Sequence, residues 1–176
     1  MRYLRFLLST LLLSGLVACA AAPKGIQPVS PFDSQKYLGS WYEIARIENT
    51  FEKGLTRVTA DYAQVEDGKI QVTNVGYSPQ KDKWKKVVGK AYFVESDTVG
   101  HLKVSFQWPF YGSYIVFEVD KDYQHAYVAG SKKNYLWLLS RTSTVDPSVL
   151  QNFRNAAKLK GYDLNKLVIV DHTPLD

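Results

Sequence analysis

Sulfur is almost missing from this chain, which has one cysteine, Cys19, and one methionine, the initiator. A single thiol excludes an internal disulfide framework and a zinc site built on paired cysteines. Histidine is scarce as well. His101, His125 and His172 are scattered, with no His-x-x-x-His spacing, so neither a metal site nor a cofactor is expected. No Gly-x-Ser-x-Gly elbow and no phosphate-cradling glycine loop occur. Charge of one sign is also in short supply. The formal net charge is +5, but Arg2 and Arg5 fall in a segment read below as removed, leaving 20 basic against 17 acidic residues. That is an ordinary solubility charge and argues for no nucleic-acid partner. Lysines 81, 83, 85 and 86 form a basic run around Trp84. It reads first as a solvated hairpin tip, ahead of a patch for nucleic acid or anionic lipid.

Long apolar runs are confined to the start. Phe6 to Val17 is broken only by Ser9, Thr10, Ser14 and Gly15. It falls short of the roughly 20 residues a membrane span needs. With Arg2 and Arg5 before it and small residues after it, this is the layout of an export signal. It ends in Leu16-Val17-Ala18-Cys19, which resembles a bacterial lipobox. That resemblance implies cleavage before Cys19, acylation of its thiol and of the new amino group, and anchoring by several acyl chains. It also explains a lone exported cysteine. Ala20 stands where Asp commonly retains such lipoproteins in the inner membrane, so the expected location is the outer membrane, facing the periplasm. Residues 1–18 are read as signal, 19–31 as a lipidated tether with Pro23, Gly25 and Pro28, and 32–176 as one domain.

What is abundant is aromatic: 14% of the chain, with 12 tyrosines, in a background that is 45% hydrophobic. Such a composition suits β-structure around an apolar interior. Eight runs carry strand chemistry. The first, opening at Gly39, alternates Trp41, Glu43 and Ala45 on one face with Tyr42, Ile44 and Arg46 on the other. The others lie near 56–65, 69–77, 83–95, 101–107, 113–120, 124–129 and 134–141, with Asp67-Gly68 a hairpin signal after the second. Links this short describe an up-and-down antiparallel sheet, which loses its edges by closing into an eight-stranded barrel. The long link 48–55 lies at one mouth, as a lid or as a passive connection. A helix follows: Asp146 is an N-cap candidate, Pro147 takes the first turn and Gly161 ends it. Its face of Val149, Leu150, Phe153, Ala156, Ala157 and Leu159 is expected to cover Tyr42 and Ile44 from outside. Leu167 to Val170 is a candidate ninth strand.

Gly39-Ser40-Trp41-Tyr42 in the first strand, Tyr135-Leu-Trp-Leu-Leu-Ser-Arg141 in the eighth and the helix that follows resemble the lipocalins. With Phe51-Glu-Lys-Gly54 and the lipobox, they are most similar to the bacterial outer-membrane lipoprotein lipocalins and their apolipoprotein D relatives. The likeness covers about residues 32 to 172. It implies that Gly39, Trp41 and Arg141 close one end of the barrel, with the guanidinium over the indole, a contact worth about 1–2 kcal/mol. The Thr-Asp-Tyr phrase of many lipocalins is here Gln124-His125-Ala126-Tyr127. This departure argues against receptor-type functions read through that loop.

Alternation assigns Val58, Ala60, Tyr62, Leu102, Val104, Phe106, Trp137 and Leu139 to the lumen, with Tyr111 at its entrance; the inner faces of strands four and six stay unassigned. An apolar sleeve of this kind suits an acyl chain. The expected function is therefore reversible binding of a fatty acid or lysophospholipid, for carriage or storage. The rivals are a lipid-modifying enzyme, with Glu43 or a tyrosine acting on the lipid, and a structural lipoprotein with a filled core. The resemblance allows pairing into a homodimer, although no stretch of the chain demands one.

Overall fold

The computed structural model describes residues 22–175. The segment read as an export signal, residues 1–18, and Cys19 lie outside the described residues. Among the described residues nine strands form one antiparallel sheet: β1 Gly39–Ile47, β2 Thr56–Gln64, β3 Ile70–Ser78, β4 Lys83–Phe93, β5 His101–Gln107, β6 Phe110–Val119, β7 His125–Gly130, β8 Leu136–Ser140 and β9 Leu167–Ile169. Strands β2 to β8 follow each other in order, β1 pairs with β8, and β1 also pairs with β2, so the sheet closes into an eight-stranded barrel. The long helix α2, Pro147–Leu159, lies outside it. The Asp146 carboxylate accepts from the Ser148 amide and Pro147 occupies the first turn, as the residue pattern requires.

A four-residue helix, α1 Ser34–Tyr37, escapes the sequence pattern because it is shorter than any apolar repeat. The Asp33 carboxylate caps it by accepting from the Gln35 and Lys36 amides. It lays Tyr37 across one end of the barrel, against Trp41, Tyr62 and Phe32. The ninth strand, β9, has a different role. β1 pairs with β2 only over Gly39–Tyr42. Beyond that point β9 fills the gap, pairing with β1 over Ala45–Ile47, while the Arg57 amide donates to the Asp171 carbonyl. Leu55, Val58 and Val170 form a small apolar cluster in this seam.

Two apolar cores result. One lies inside the barrel and contains Trp41, Ala60, Tyr62, Leu102 and Leu139. The other lies between sheet and helix, where Ile44, Ile47, Leu136 and Leu138 meet Phe153 and Ala157. Ile44 is covered as expected, and Tyr42 packs at the edge of this second core.

Three expectations need correction. First, the pairing of β1 with β8 shifts register between Glu43 and Ala45, a β-bulge. A bulge adds one residue and flips the alternation beyond it. Ala45 therefore packs under the helix, and Arg46 turns into the lumen, the reverse of strict alternation. Second, Leu159 is 87% exposed. At 100° per residue it lies about 120° around the helix from Phe153 and misses the covered stripe. Third, the packed chain begins before residue 32. Ile26 is buried beside the helix core, and the Val29 amide and carbonyl bond Val116 and Gly100.

Candidate functional site: the barrel lumen

The closed end is held by Arg141. Its guanidinium lies 3.7 Å from the centre of the Trp41 ring. It also donates to the carbonyls of Ser40 (2.7 Å), Lys36 (2.7 Å), Leu38 (2.9 Å) and Tyr123 (3.3 Å). Gly39 has φ +90°, and a Cβ there would sit 3.5 Å from the Arg141 Nη1. The left-handed backbone there favours glycine. The Trp41 indole donates to the Tyr37 carbonyl at 2.9 Å, which fixes the plug to the strand.

Above this plug sit three tyrosines from three elements. The Tyr114 hydroxyl shares hydrogen bonds with Tyr37 at 2.6 Å and with Tyr62 at 2.7 Å. Burial pushes all three phenols up, away from ionisation, and their mutual bonds satisfy hydroxyls that water cannot reach. Tyr62 was assigned to the lumen by alternation. Tyr114 lies on β6, whose inner face alternation left open.

The second polar group is charged. Arg46 is fully buried and donates to Glu43 Oε1 at 2.9 Å, to Glu48 Oε1 at 3.0 and 3.1 Å and to the Glu52 carbonyl at 2.9 Å. The Leu55 carbonyl accepts two longer bonds from it. Glu52 reaches down from the 48–55 link, where its carboxylate accepts from the Trp137 indole at 2.9 Å and from the Asn49 amide. This link is thus latched over one side of the lumen by polar bonds. Burial raises the Glu43 carboxyl well above its ordinary range, and the nearby Glu52 carboxylate adds in the same direction. Arg46 opposes both, but its charge is shared with Glu48, so Glu43 is driven towards its neutral form. A neutral carboxyl still offers an oxygen to Arg46. Glu43 is inward as read, and it is satisfied by a neighbouring donor.

Of the residues assigned to the lumen, Ala60, Tyr62, Leu102, Val104, Trp137 and Leu139 face the inner core. Phe106 does as well, since its ring crosses the site of a Cβ on Gly89, at 2.7 Å. Val58 shares that face but packs in the β1–β2 seam. Tyr111 is a correction: it turns to the outer wall, against Tyr92 and the Lys103 ammonium. The β5–β6 pairing shifts register between Val104 and Gln107, which alternation cannot foresee. Register also settles the open strands, with Gly89 and Ala91 inward on β4 and Gly112, Tyr114 and Val116 inward on β6. Arg46 and Glu52 were missed, one because of the bulge and the other because it belongs to no strand.

Towards the open end, apolar side chains of the inner face keep accessible surface. Val87, on the inner face of β4, is 51% exposed and Phe106 47%. Val104, Tyr114 and Trp137 keep part of their surface although the barrel wall surrounds them. An aromatic ladder leads out of the lumen, from Trp137 through Tyr135 to Phe51 at ring separations of 5.9 and 6.1 Å.

Residues 32–172 match the lipocalin-like domain family. The chain is 49% identical over 171 residues to outer membrane lipoprotein Blc of Vibrio cholerae, covering 97% of this chain and 98% of that one. It is 45% identical to the protein of the same name from Escherichia coli strain K12, over 88% of this chain and 89% of that one. Apolipoprotein D of Macaca fascicularis is 29% identical, over 92% and 93%. Among solved structures, insecticyanin from the tobacco hornworm Manduca sexta superposes with a TM-score of 0.67 at 19% identity, covering 84% of this chain and 85% of that one. This chain belongs to the lipocalin family, and its place is the outer membrane.

Proposed function

We propose that the barrel binds one single-chain lipid, a fatty acid or a lysophospholipid, reversibly in its upper lumen, and carries or stores it at the membrane to which Cys19 is anchored. The observation that supports this most is the unfilled apolar surface of Val87, Val104 and Phe106 inside a closed wall. A lumen packed for stability alone would bury these side chains on one another. Each methylene buried there contributes about 0.8 kcal/mol, so a chain of ten carbons offers ample gross affinity before ordering costs. The ligand enters tail first. Glu48 and Glu52 surround the one arginine of the latch, an unfavourable setting for a carboxylate or phosphate, so the head group stays at the mouth. The lumen carboxyls are engaged in holding the 48–55 link. That favours a binding role over the rival enzyme reading.

The test is titration of residues 20–176 with a fluorescent fatty acid, followed by displacement with lysophospholipid. Saturable one-to-one binding is expected, weakened about tenfold or more by Val104→Trp, which fills the chamber. Absence of binding by any acyl ligand sinks the carrier reading and leaves the structural lipoprotein in its place. The mass of the complex in native mass spectrometry reports in the same experiment whether the carrier is a monomer or a homodimer.

A further inference from the structure

The two ends of the barrel differ in their surfaces. At the closed end the rings turn inward, as Phe32, Tyr37 and Tyr123 do. At the open end they turn out. Trp108 is 81% exposed, Phe51 77% and Phe110 71%, with Trp84 and Tyr111 about half exposed beside them. These rings come from three separate turns of the same rim: 48–55, 79–84 and 106–111. Exposed aromatics gathered at one end of a barrel mark a contact surface, and amphipathic rings favour the headgroup level of a bilayer.

The charge on this rim has one predominant sign. Lys53, Lys81, Lys83 and Lys86 are exposed there. Of the nearby acids, Asp82 is bonded by the Tyr77 hydroxyl, and the Glu52 carboxylate is turned inward to Trp137. A basic rim around aromatic tips complements an anionic lipid surface.

The start of the described chain points the same way. From the closed end at Phe32, the backbone climbs the outer wall past Val29 and Ile26. It reaches Lys24, whose carbonyl accepts from the ammonium of Lys133 in the β7–β8 turn, on the open rim. Cys19 is five residues further, a reach of at most about 17 Å. An acylated Cys19 therefore enters the bilayer next to the mouth and not below the plug.

We infer that the open rim docks on the anionic lipid surface that holds the anchor, with the aromatic tips at the headgroups, so that the lumen opens towards the bilayer. A ligand leaving the membrane then enters the barrel without crossing bulk water. The lysine run read in the sequence as a solvated tip becomes part of this surface because three turns distant in sequence share one end. The inference goes beyond the carrier reading and does not need it.

The barrel, its helix and both cores lie within residues 22–175, so residues 20–176, without the cysteine, make a folded unit for an anchor-free test. Flotation with vesicles of phosphatidylethanolamine and phosphatidylglycerol should carry the protein up, and phosphatidylcholine vesicles should carry much less. Trp108→Ser with Phe110→Ser should lower the bound fraction about tenfold, and Lys83→Glu with Lys86→Glu should remove the preference for anionic lipid. Leu159→Ser, on the exposed side of the helix, should change nothing. Failure of the wild type to float, or an equal loss in Leu159→Ser, overturns the inference. So does a rim variant that turns a dimer into a monomer while flotation stays unchanged, since a second copy would then be what covers the rim. No acyl ligand is added, so the outcome is independent of whether the lumen binds one.

Discussion

Arg141 joins elements far apart in sequence by meeting an indole face and four backbone carbonyls with one planar group. Arg141→Lys keeps the charge and loses the fork. It should destabilise the fold by about 2–3 kcal/mol in urea denaturation; a change near zero would mean that the plug holds without it. Glu43 makes a prediction about pH. Its folded carboxyl titrates well above the ordinary range, so the folded state holds a proton that the unfolded chain releases. Stability at this site is therefore greatest in acid and falls as pH rises from the ordinary carboxyl range to the raised value. Glu43→Gln should flatten that fall in a pH series of melting curves, whereas an unchanged slope would place the proton elsewhere. At this scale the sequence was informative where a residue sits on a regular strand. Trp41, Tyr62, Leu102 and Leu139 were legible from period two alone, and Arg141 from its family phrase. Arg46 was not, because one extra residue in β1 reverses the faces and leaves no mark in residue types.

Elements show the same division. Strands, turns and the capped helix follow from local chemistry, so their positions were readable to within a few residues. The helix face was readable too, except at Leu159, where an apolar residue beyond the stripe is left in water. Phe153 is the centre of that stripe and fully buried, and Phe153→Ala should cost about 3–5 kcal/mol. The 48–55 link could not be read, since its latch depends on Glu52 meeting Trp137 across 85 residues. Trp137→Phe keeps the ring and removes the donor. Hydrogen exchange over the link should then quicken while β3 and β4 keep their protection. Unchanged exchange would show that Arg46 alone holds the link down. Gly89 is a second constraint of tertiary origin. A methyl there would meet the Ser105 carbonyl at 2.6 Å as well as the Phe106 ring, so Gly89→Ala should displace the ring and cost about 1–3 kcal/mol.

At the scale of the molecule, one closed sheet separates three environments. A tyrosine-bonded floor and an arginine-closed plug make one end tight, the helix seals one wall, and the apolar chamber opens at the other end beneath exposed rings. Closure by β9 in the upper seam keeps β1 and β2 from having to pair along their full length. The account stands on that chamber being where a lipid tail lies. The most direct measurement is methyl NMR of residues 20–176 during addition of lysophospholipid. Methyls of Val87 and Val104 should shift together and saturate at one equivalent, while Ile115 and Leu136, packed under the helix, stay in place. Shifts confined to the helix side, or none at any ratio, would contradict it.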